Sequence, residues 1–350
     1  MSELTFRAVV LAAGLGTRMR SSLPKVMHKV RGLPMVTYPV AHALALGAEE
    51  VAVVVGHGRE LVEGWLAERF AGQSVSTHIQ HNMVGTADAV KSAQAAFEGY
   101  AGAVMILYGD VPNVAAEDIA ELVAAHRASG GLLSFLTAHA DGPTDYGRIV
   151  RDAEGRARSI VEHKDCTAEQ RLITEVNIGI YLVDAGFLVE GLSRLDASNA
   201  QGEFYLTDLV SLAYDRGSPP AVVVSDDIEA LHGVNNREQL SRAERYAQQH
   251  ANRALMLAGV TLLDPATTYI EHDCVVEQDA VLEPFVALLG STRVGSGARV
   301  ESFCRLENAT VAAGSRAVSG SRYSCSQARL FVVGRETRLL LGWLFCSFHR

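Results

Sequence analysis

An α/β protein is predicted: a Rossmann-like, mostly parallel sheet covered by helices, then a short left-handed parallel β-helix of hexapeptide repeats. Three observations carry this. Over the first ~230 residues, short continuous apolar runs alternate with segments of helical period, the pattern of repeated β-α-β units. The first run ends in a glycine cluster. After Gly259, small or branched apolar residues recur about every six positions, a period that belongs neither to a helix nor to a simple hairpin.

The elements follow in chain order. Phe6–Ala13 reads as a strand buried on both faces, Met35–Leu46 as a helix, and Val51–Gly56 as the next strand. Ala87–Phe97 is helical by spacing, Ala103–Tyr108 is a buried strand, Ala116–Ala128 a helix and Leu132–Ala138 a strand. Arg148–Glu162 reads as a hairpin turning at Asp152–Gly155, and Glu175–Val183 as a further strand. Asn236–Ala258 is a helix polar on one face. Beyond it Val275, Val281 and Ala287, then after a one-residue slip Val294, Val300 and Leu306, mark the repeat. The predicted division is 1–236 (catalytic α/β domain), 237–259 (connector helix), 260–317 (partial β-helix) and 318–350, an atypical tail expected to be poorly ordered. That tail holds five arginines and one acid, Glu336.

Composition narrows the function. The 350 residues carry 31 basic and 40 acidic side chains, a net charge of −9, which argues against non-specific nucleic-acid binding. With 48% hydrophobic and 20% charged residues, global disorder is excluded. No apolar run approaches the ~18–20 residues of a membrane span, and the first residues lack a signal-peptide pattern, so a cytoplasmic protein is expected. Five cysteines without a CxxC indicate neither a disulfide framework nor a zinc site. Lysine is rare: only Lys25, Lys29, Lys91 and Lys164 occur.

In open α/β sheets, ligands bind beyond the carboxyl ends of the strands. The segment Leu11-Ala12-Ala13-Gly14-Leu15-Gly16-Thr17-Arg18, with Leu23-Pro24-Lys25 after it, follows the first strand and is expected to precede a helix. Gly14 and Gly16 let backbone N–H groups approach phosphate oxygens, and Arg18 and Lys25 add positive charge. Neither GxGxxG nor GK[ST] is present, so this is not a dinucleotide fingerprint or a Walker A loop. Asp110, just past a buried strand, suits Mg²⁺, which takes few protein oxygens and leaves the rest to water and phosphate. Gln80, taken alone, reads as a surface residue, although its side-chain amide carries both a donor and an acceptor.

The glycine loop, Gln80 with Gly85-Thr86, and Leu107-Tyr108-Gly109-Asp110-Val111-Pro112 occur in order with five further motifs. These are Tyr146-Gly147-Arg148-Ile149, Ile160 to Asp165, Glu175 to Gly179, and Gln201 to Asp208, followed by Gly233-Val234-Asn235-Asn236-Arg237. Together they resemble the sugar-1-phosphate nucleotidyltransferases, and more closely the bacterial bifunctional N-acetylglucosamine-1-phosphate uridyltransferase / glucosamine-1-phosphate acetyltransferase family. The resemblance runs from about Val9 to Leu306. It implies UTP and N-acetylglucosamine 1-phosphate as substrates, Mg²⁺ as cofactor, and a place in cell-wall and lipopolysaccharide precursor synthesis. It places Leu11, Ala12, Ala13, Gly14, Lys25, Gln80, Gly85 and Thr86 on the nucleotide. Gly147, Glu162, Asn177 and Tyr205 fall on the sugar pocket, bordered by Tyr108, Gly109, Asp110 and Asn235. Asp110 and Asn235 are the implied metal ligands, and Arg18 and Lys25 the catalytic cations. Lys164, a rare lysine inside a motif, is expected to face phosphate.

The family's acetyltransferase site lies late in its β-helix, between subunits of a trimer, and uses acetyl-CoA and a histidine. Here the repeats stop near Ala317, and His272 and His349 stand in no matching context. Loss of the acetyltransferase activity is therefore expected, and trimerisation is in doubt. Two other readings stay open: a nucleotidyltransferase for another sugar 1-phosphate, and a non-catalytic regulatory module.

Overall fold

The computed structural model describes residues 4–142 and 144–324. They form two compact units, one of residues up to His28 with Pro34–Ala243, the other of Lys29–Leu33 with the residues from Glu244 onward.

The first unit is built on one sheet. Its strands are β1 (Phe6–Leu11), β4 (Val51–Val55), β5 (Val75–Ile79), β6 (Ala103–Tyr108), β7 (Leu133–His139), β10 (Glu175–Asp184) and β11 (Ala221–Ser225). A hairpin, β8 (Arg148–Arg151) and β9 (Ala157–Val161), joins this sheet, while β2 (Lys29–Val30) and β3 (Leu33–Pro34) form a separate two-strand pair that falls almost wholly in the second unit. The spatial order is β11-β7-β10-β6-β1-β4-β5, with the hairpin attached to β10. Parallel pairs join β6, β1, β4 and β5, because Val9, Val53, Ile106 and their neighbours are apolar toward both faces and need helices on both sides. Helices α1 (Thr37–Ala45), α2 (Arg59–Arg69), α3 (Thr86–Ser92), α4 (Ala116–Ser129), α5 (Ala185–Arg194) and α6 (Asp208–Asp215) cover it. Val9, Val54, Ile106, Phe135, Tyr181, Leu188 and Leu209 belong to one buried cluster.

One strand departs from the β-α-β plan. β10 runs antiparallel to both β6 and β7, so its beginning, at Glu175–Asn177, lies level with their carboxyl ends. β1 lies between β4 and β6, so the strands that follow it in sequence are laid down first on one side of it and then on the other, and the carboxyl end of β1 is the usual place for a ligand.

Several elements of the fold go beyond those predicted from the sequence: α2, β5, α5, α6 and β11. β5 is an edge strand with the polar sequence Val-Ser-Thr-His-Ile, so it lacks the apolar run that marks a central strand. α5 starts where the Asp184 carboxylate accepts from Phe187 N–H at 2.8 Å. The segment 87–97 is α3 followed by a separate 3₁₀ turn at Gln94–Ala96. α7 (Arg237–Leu257) takes the place of the predicted connector, and the division between units falls within it.

The second unit is a coil of short parallel strands in three columns. One holds Thr261–Leu262, Val281–Leu282, Arg299–Val300 and Arg316–Ala317, and another Tyr269–Ile270, Ala287–Leu289, Arg305–Glu307 and Arg322–Ser324. The third stacks Val275–Val276, Arg293–Val294 and Thr310–Val311. The register corrects the sequence reading. The buried positions are Val276, Leu282, Leu288, Val294, Val300 and Leu306, at an unbroken interval of six, whereas Val275 is 40% exposed. Where both residues of a two-residue strand are apolar, as in Val275-Val276 and Val281-Leu282, alternation does not say which one points inward. The slip comes later, between Leu306 and Val311. Arg322–Ser324 pairs with Arg305–Glu307, so the first residues of the stretch 318–350 continue the coil; the rest of it lies outside the described residues.

Cys166, Cys274 and Cys304 are free thiols, while Cys325 and Cys346 fall outside the described residues. Among the described residues, no helix is long and apolar enough to cross a membrane.

Candidate active site

Leu11 ends β1 in register with Tyr108 at the end of β6, and its carbonyl accepts from Gly109 N–H at 2.9 Å. A Cβ at Gly109 would stand 3.1 Å from that carbonyl and 3.2 Å from Ala12 Cβ, so the two strand ends run close together. Ala12 and Ala13 are buried; Gly14 is exposed with open space beside it. No helix follows the loop, against expectation. Gly16 and Arg20 take left-handed backbone, at φ +58° and +49°, and confine Thr17–Met19 to a single 3₁₀ turn. A second turn, Lys25–Met27, starts after Pro24, and α1 begins only at Thr37. The loop therefore offers backbone and side chains, without the N-terminus of a long helix.

Gly16 has a further reason to be glycine: a Cβ there would lie 2.7 Å from Lys25 Cβ. That close approach folds the loop back on Lys25. The Lys25 ammonium donates to the Asp110 carboxylate and, at 3.0 Å, to Asn235 Oδ1. Both charged side chains are largely shielded, Lys25 at 13% and Asp110 at 14% exposure. Asp110 and Asn235 are tied together, because the Asp110 carbonyl accepts from Val234 N–H at 2.9 Å. The Gln239 side chain at the start of α7 accepts from Asn235 N–H at 2.8 Å. Arg18 stands apart: it is exposed on its 3₁₀ turn.

Among the residues expected at the nucleotide, Gln80 continues β5, its N–H donating to the Val55 carbonyl at 2.9 Å. Its side chain is buried and already engaged: Nε2 donates to Asp88 at 2.9 Å and meets the Gly85 carbonyl at 3.5 Å. Gly85 sits at φ +118°, and a Cβ there would fall 2.4 Å from the Phe204 carbonyl oxygen. Thr86 Oγ1 accepts from Leu206 N–H at 3.1 Å. A groove of about 510 Å³ shares Asp88 with this cluster and is lined by Thr77, His81 and Asn82 among others.

Tyr108 joins the two sides. Its hydroxyl is hydrogen-bonded to Thr86, and burial, followed by the nearby Glu162 and Asp110 carboxylates, pushes it far above the usual phenol range. Its ring lies against Gly179, where a Cβ would stand 2.6 Å from Cε2. Gly179, at φ +85°, donates its N–H to Asn177 Oδ1 at 3.1 Å, and Asn177 Nδ2 donates to Tyr181 at 2.7 Å. Asn177 N–H donates to the Gly147 carbonyl at 2.9 Å. A Cβ at Gly147 would be 3.5 Å from Glu162 Oε2. Burial raises the Glu162 carboxyl above the usual range; the Thr207 hydroxyl, bonded at 3.2 Å, opposes this, and Asp208, Asp165 and Glu203 add to the rise.

Tyr205 is buried with its hydroxyl between Asp165 and Gln201, and the Lys164 ammonium donates to Gln201. Sequence reasoning named neither Asp165, Gln201, Thr207 nor Asp88 individually. The first three lie within the quoted motifs, which was the only available signal.

Comparisons with known proteins bear on the family. The nucleotidyl transferase family matches residues 7–252. The "Bifunctional protein GlmU" of Geobacter metallireducens is 45% identical over 87% of this chain and 63% of its own length. That of Trichlorobacter lovleyi is 43% identical over 91% and 69%, respectively. The chain thus spans roughly two thirds of the length of these relatives. Among solved structures, a Bacillus anthracis chain described as a glucose-1-phosphate thymidylyltransferase superposes with a TM-score of 0.57 at 19% identity, covering 69% of this chain and 95% of that one, a likeness of fold. With a cation, a carboxylate and an amide oxygen converging at the ends of β1 and β6, and these relatives beside it, the chain belongs to the nucleotidyl transferase family, on its GlmU branch.

Proposed function

We propose that this chain transfers the uridylyl group of UTP to N-acetylglucosamine 1-phosphate, giving UDP-N-acetylglucosamine and pyrophosphate for cytoplasmic cell-wall precursor synthesis. The observation that carries the proposal is the convergence of Lys25, Asp110 and Asn235, three residues from distant parts of the sequence.

An oxygen of the sugar phosphate attacks the α-phosphorus of UTP, and the bond from that phosphorus to the α–β bridging oxygen breaks. The electron pair leaves with pyrophosphate. The attacking group is already an anion at neutral pH, so no general base is needed. The protein's task is to hold two mutually repelling anions in line and to offset the charge gathering on the bridging oxygen. Lys25 supplies a fixed positive charge beside the glycine loop, and Arg18 a mobile one. Gly147, Glu162 and Asn177 present polar groups to the acceptor, and Gln80, Gly85 and Thr86 the segment that meets the base.

The donor set fits Mg²⁺. Asp110 and Asn235 aim two oxygens at one cationic position, the hard donors that Mg²⁺ prefers. Among the described residues, no group of three His, Cys, Asp or Glu side chains forms a closed metal cage. An ion held by few protein oxygens keeps positions for phosphate and water. When bound, Mg²⁺ would neutralise phosphate charge and orient the triphosphate.

The test is pyrophosphate release with UTP and N-acetylglucosamine 1-phosphate, with and without Mg²⁺, against glucose 1-phosphate. Release that is faster with the acetamido sugar and abolished by chelator is expected. Equal rates with glucose 1-phosphate would favour a different acceptor. Lys25→Ala should lower turnover by about 10²–10³, the scale of losing one preorganised electrostatic partner. Acetyl-CoA-dependent thiol release by these 350 residues is expected to be absent, and its appearance would overturn that part of the reading.

A further inference from the structure

Resemblance places Tyr205 in the sugar pocket, yet its hydroxyl is committed to the protein. It donates to Asp165 Oδ2 at 3.2 Å and accepts from Gln201 Nε2 at 2.8 Å. A phenol has one proton to give, and here Asp165 receives it. Gln201 Oε1 accepts from the Lys164 ammonium, and Asp165 Oδ1 accepts from Ala200 N–H at 2.9 Å. Three of these four bonds join the turn His163–Asp165 to the stretch from Ala200 to Tyr205, and the fourth, from Gln201 to Tyr205, braces that stretch internally.

The same two segments hold Glu162. Asp165 N–H donates to the Glu162 carbonyl at 2.9 Å, so the turn fixes its backbone. Thr207, two residues past Tyr205, donates its hydroxyl to Glu162 Oε1 at 3.2 Å, so the other segment fixes its carboxyl. The clasp stitches to each other the two arms that grip one side chain.

We propose that Tyr205, Asp165 and Gln201 are positioning residues: the clasp they form sets where the Glu162 carboxyl stands and thereby governs capture of the sugar phosphate. This rests on the reading of Glu162 as part of the acceptor pocket. Pocket groups act only when held to within ~0.5 Å of the productive place, and misplacement by ~1 Å is costly. The clasp is poorly suited to a purely structural role. Asp165, Lys164 and Gln201 are exposed, where single polar contacts contribute little to stability. The buried Tyr205 ring would pack the same way without its hydroxyl.

The experiment is steady-state kinetics on the full chain, varying each substrate separately, for Tyr205→Phe, Asp165→Ala, Asp165→Asn and Gln201→Ala. Tyr205→Phe and Asp165→Ala should raise the KM for N-acetylglucosamine 1-phosphate by about five- to tenfold. The KM for UTP should stay within about twofold, and kcat within about threefold, because the triphosphate side is untouched. Asp165→Asn keeps an acceptor oxygen and should recover most of the loss. Gln201→Ala, at an exposed position, should reproduce the direction of the effect even where Asp165→Ala folds poorly. Parallel changes in both KM values, no change in either, or an Asp165→Asn protein as impaired as Asp165→Ala would each overturn the inference. A wild-type chain inactive with this substrate pair would overturn the underlying reading together with it; an active wild type with unmoved variants overturns the clasp alone.

Discussion

In the α/β unit, one sheet gathers side chains from remote parts of the chain: the bonds from Lys25 span 85 residues to Asp110 and 210 to Asn235. In the coiled unit the reverse holds, since each strand leans on the next turn of the same coil, as Ala287 does on Arg305 and Arg305 on Arg322. Non-local architecture can bring unlike groups to one point, and a single substitution there is felt by the whole site. Repetition yields a stable rod in which each layer supports only its neighbours, so damage stays local. All the chemistry assigned here sits in the first arrangement.

The largest effect expected from this contrast is at Asp110. Asp110→Ala removes the carboxylate that the Lys25 ammonium faces in a largely shielded setting, and turnover in the pyrophosphate assay should fall by about 10³. The folded state should also lose stability, read as a lower thermal midpoint, because a shielded cation is left without its counter-charge.

Leu288→Ala is the counterpart in the coil. The side chain is fully buried, and its truncation should cost about 2–5 kcal/mol in denaturant unfolding of the second unit. The kcat should stay within about twofold. A loss of activity approaching that of Asp110→Ala would break the contrast.

Gly85→Ala tests whether backbone geometry limits the nucleotide side. At φ +118°, with the Phe204 carbonyl oxygen 2.4 Å from the new Cβ, the loop has to shift, at a cost of about 1–3 kcal/mol. The KM for UTP should rise more than that for the sugar phosphate.

The smallest effect lies on the β8–β9 hairpin. Burial pushes the Asp152 carboxyl up, but hydrogen bonds from the Tyr214 hydroxyl and from the Arg156 backbone and guanidinium outweigh it and hold it at about 2. A depressed carboxyl stabilises the fold above its unfolded value, near 3.8, and loses that contribution as pH falls toward about 2. Tyr214→Phe should move the Asp152 titration, followed by NMR, toward 3.8 and raise the pH of acid unfolding slightly.

What the sequence revealed follows physical lines. β1, β4 and β6 were legible because a strand covered on both faces is an unbroken apolar run. β5 was not, because an edge strand with Ser76 and His78 carries no such run. In the coil the period was plain but the inward residue was not, as Val275 and Val276 are equally apolar. Lys25, Asp110 and Asn235 could each be named from their motifs. The shared bond that makes them a site depends on β1, β6 and the segment before α7 meeting in space. Tyr205 was assigned by resemblance to the sugar, while its partners Asp165 and Gln201 appear only once both loops are folded.

The reversed strand β10 has a consequence for how such a molecule diversifies. Because it begins where β6 and β7 end, Asn177 and Gly179 share a rim with Tyr108 and Asp110, and the β8–β9 hairpin hangs from that rim through the pairing of Val176 with Arg148. On the proposed function, donor and acceptor preferences are written in separate stretches of one gene product, so that changes in the hairpin and the start of β10 should alter the acceptor while the loop after β1 keeps its nucleotide.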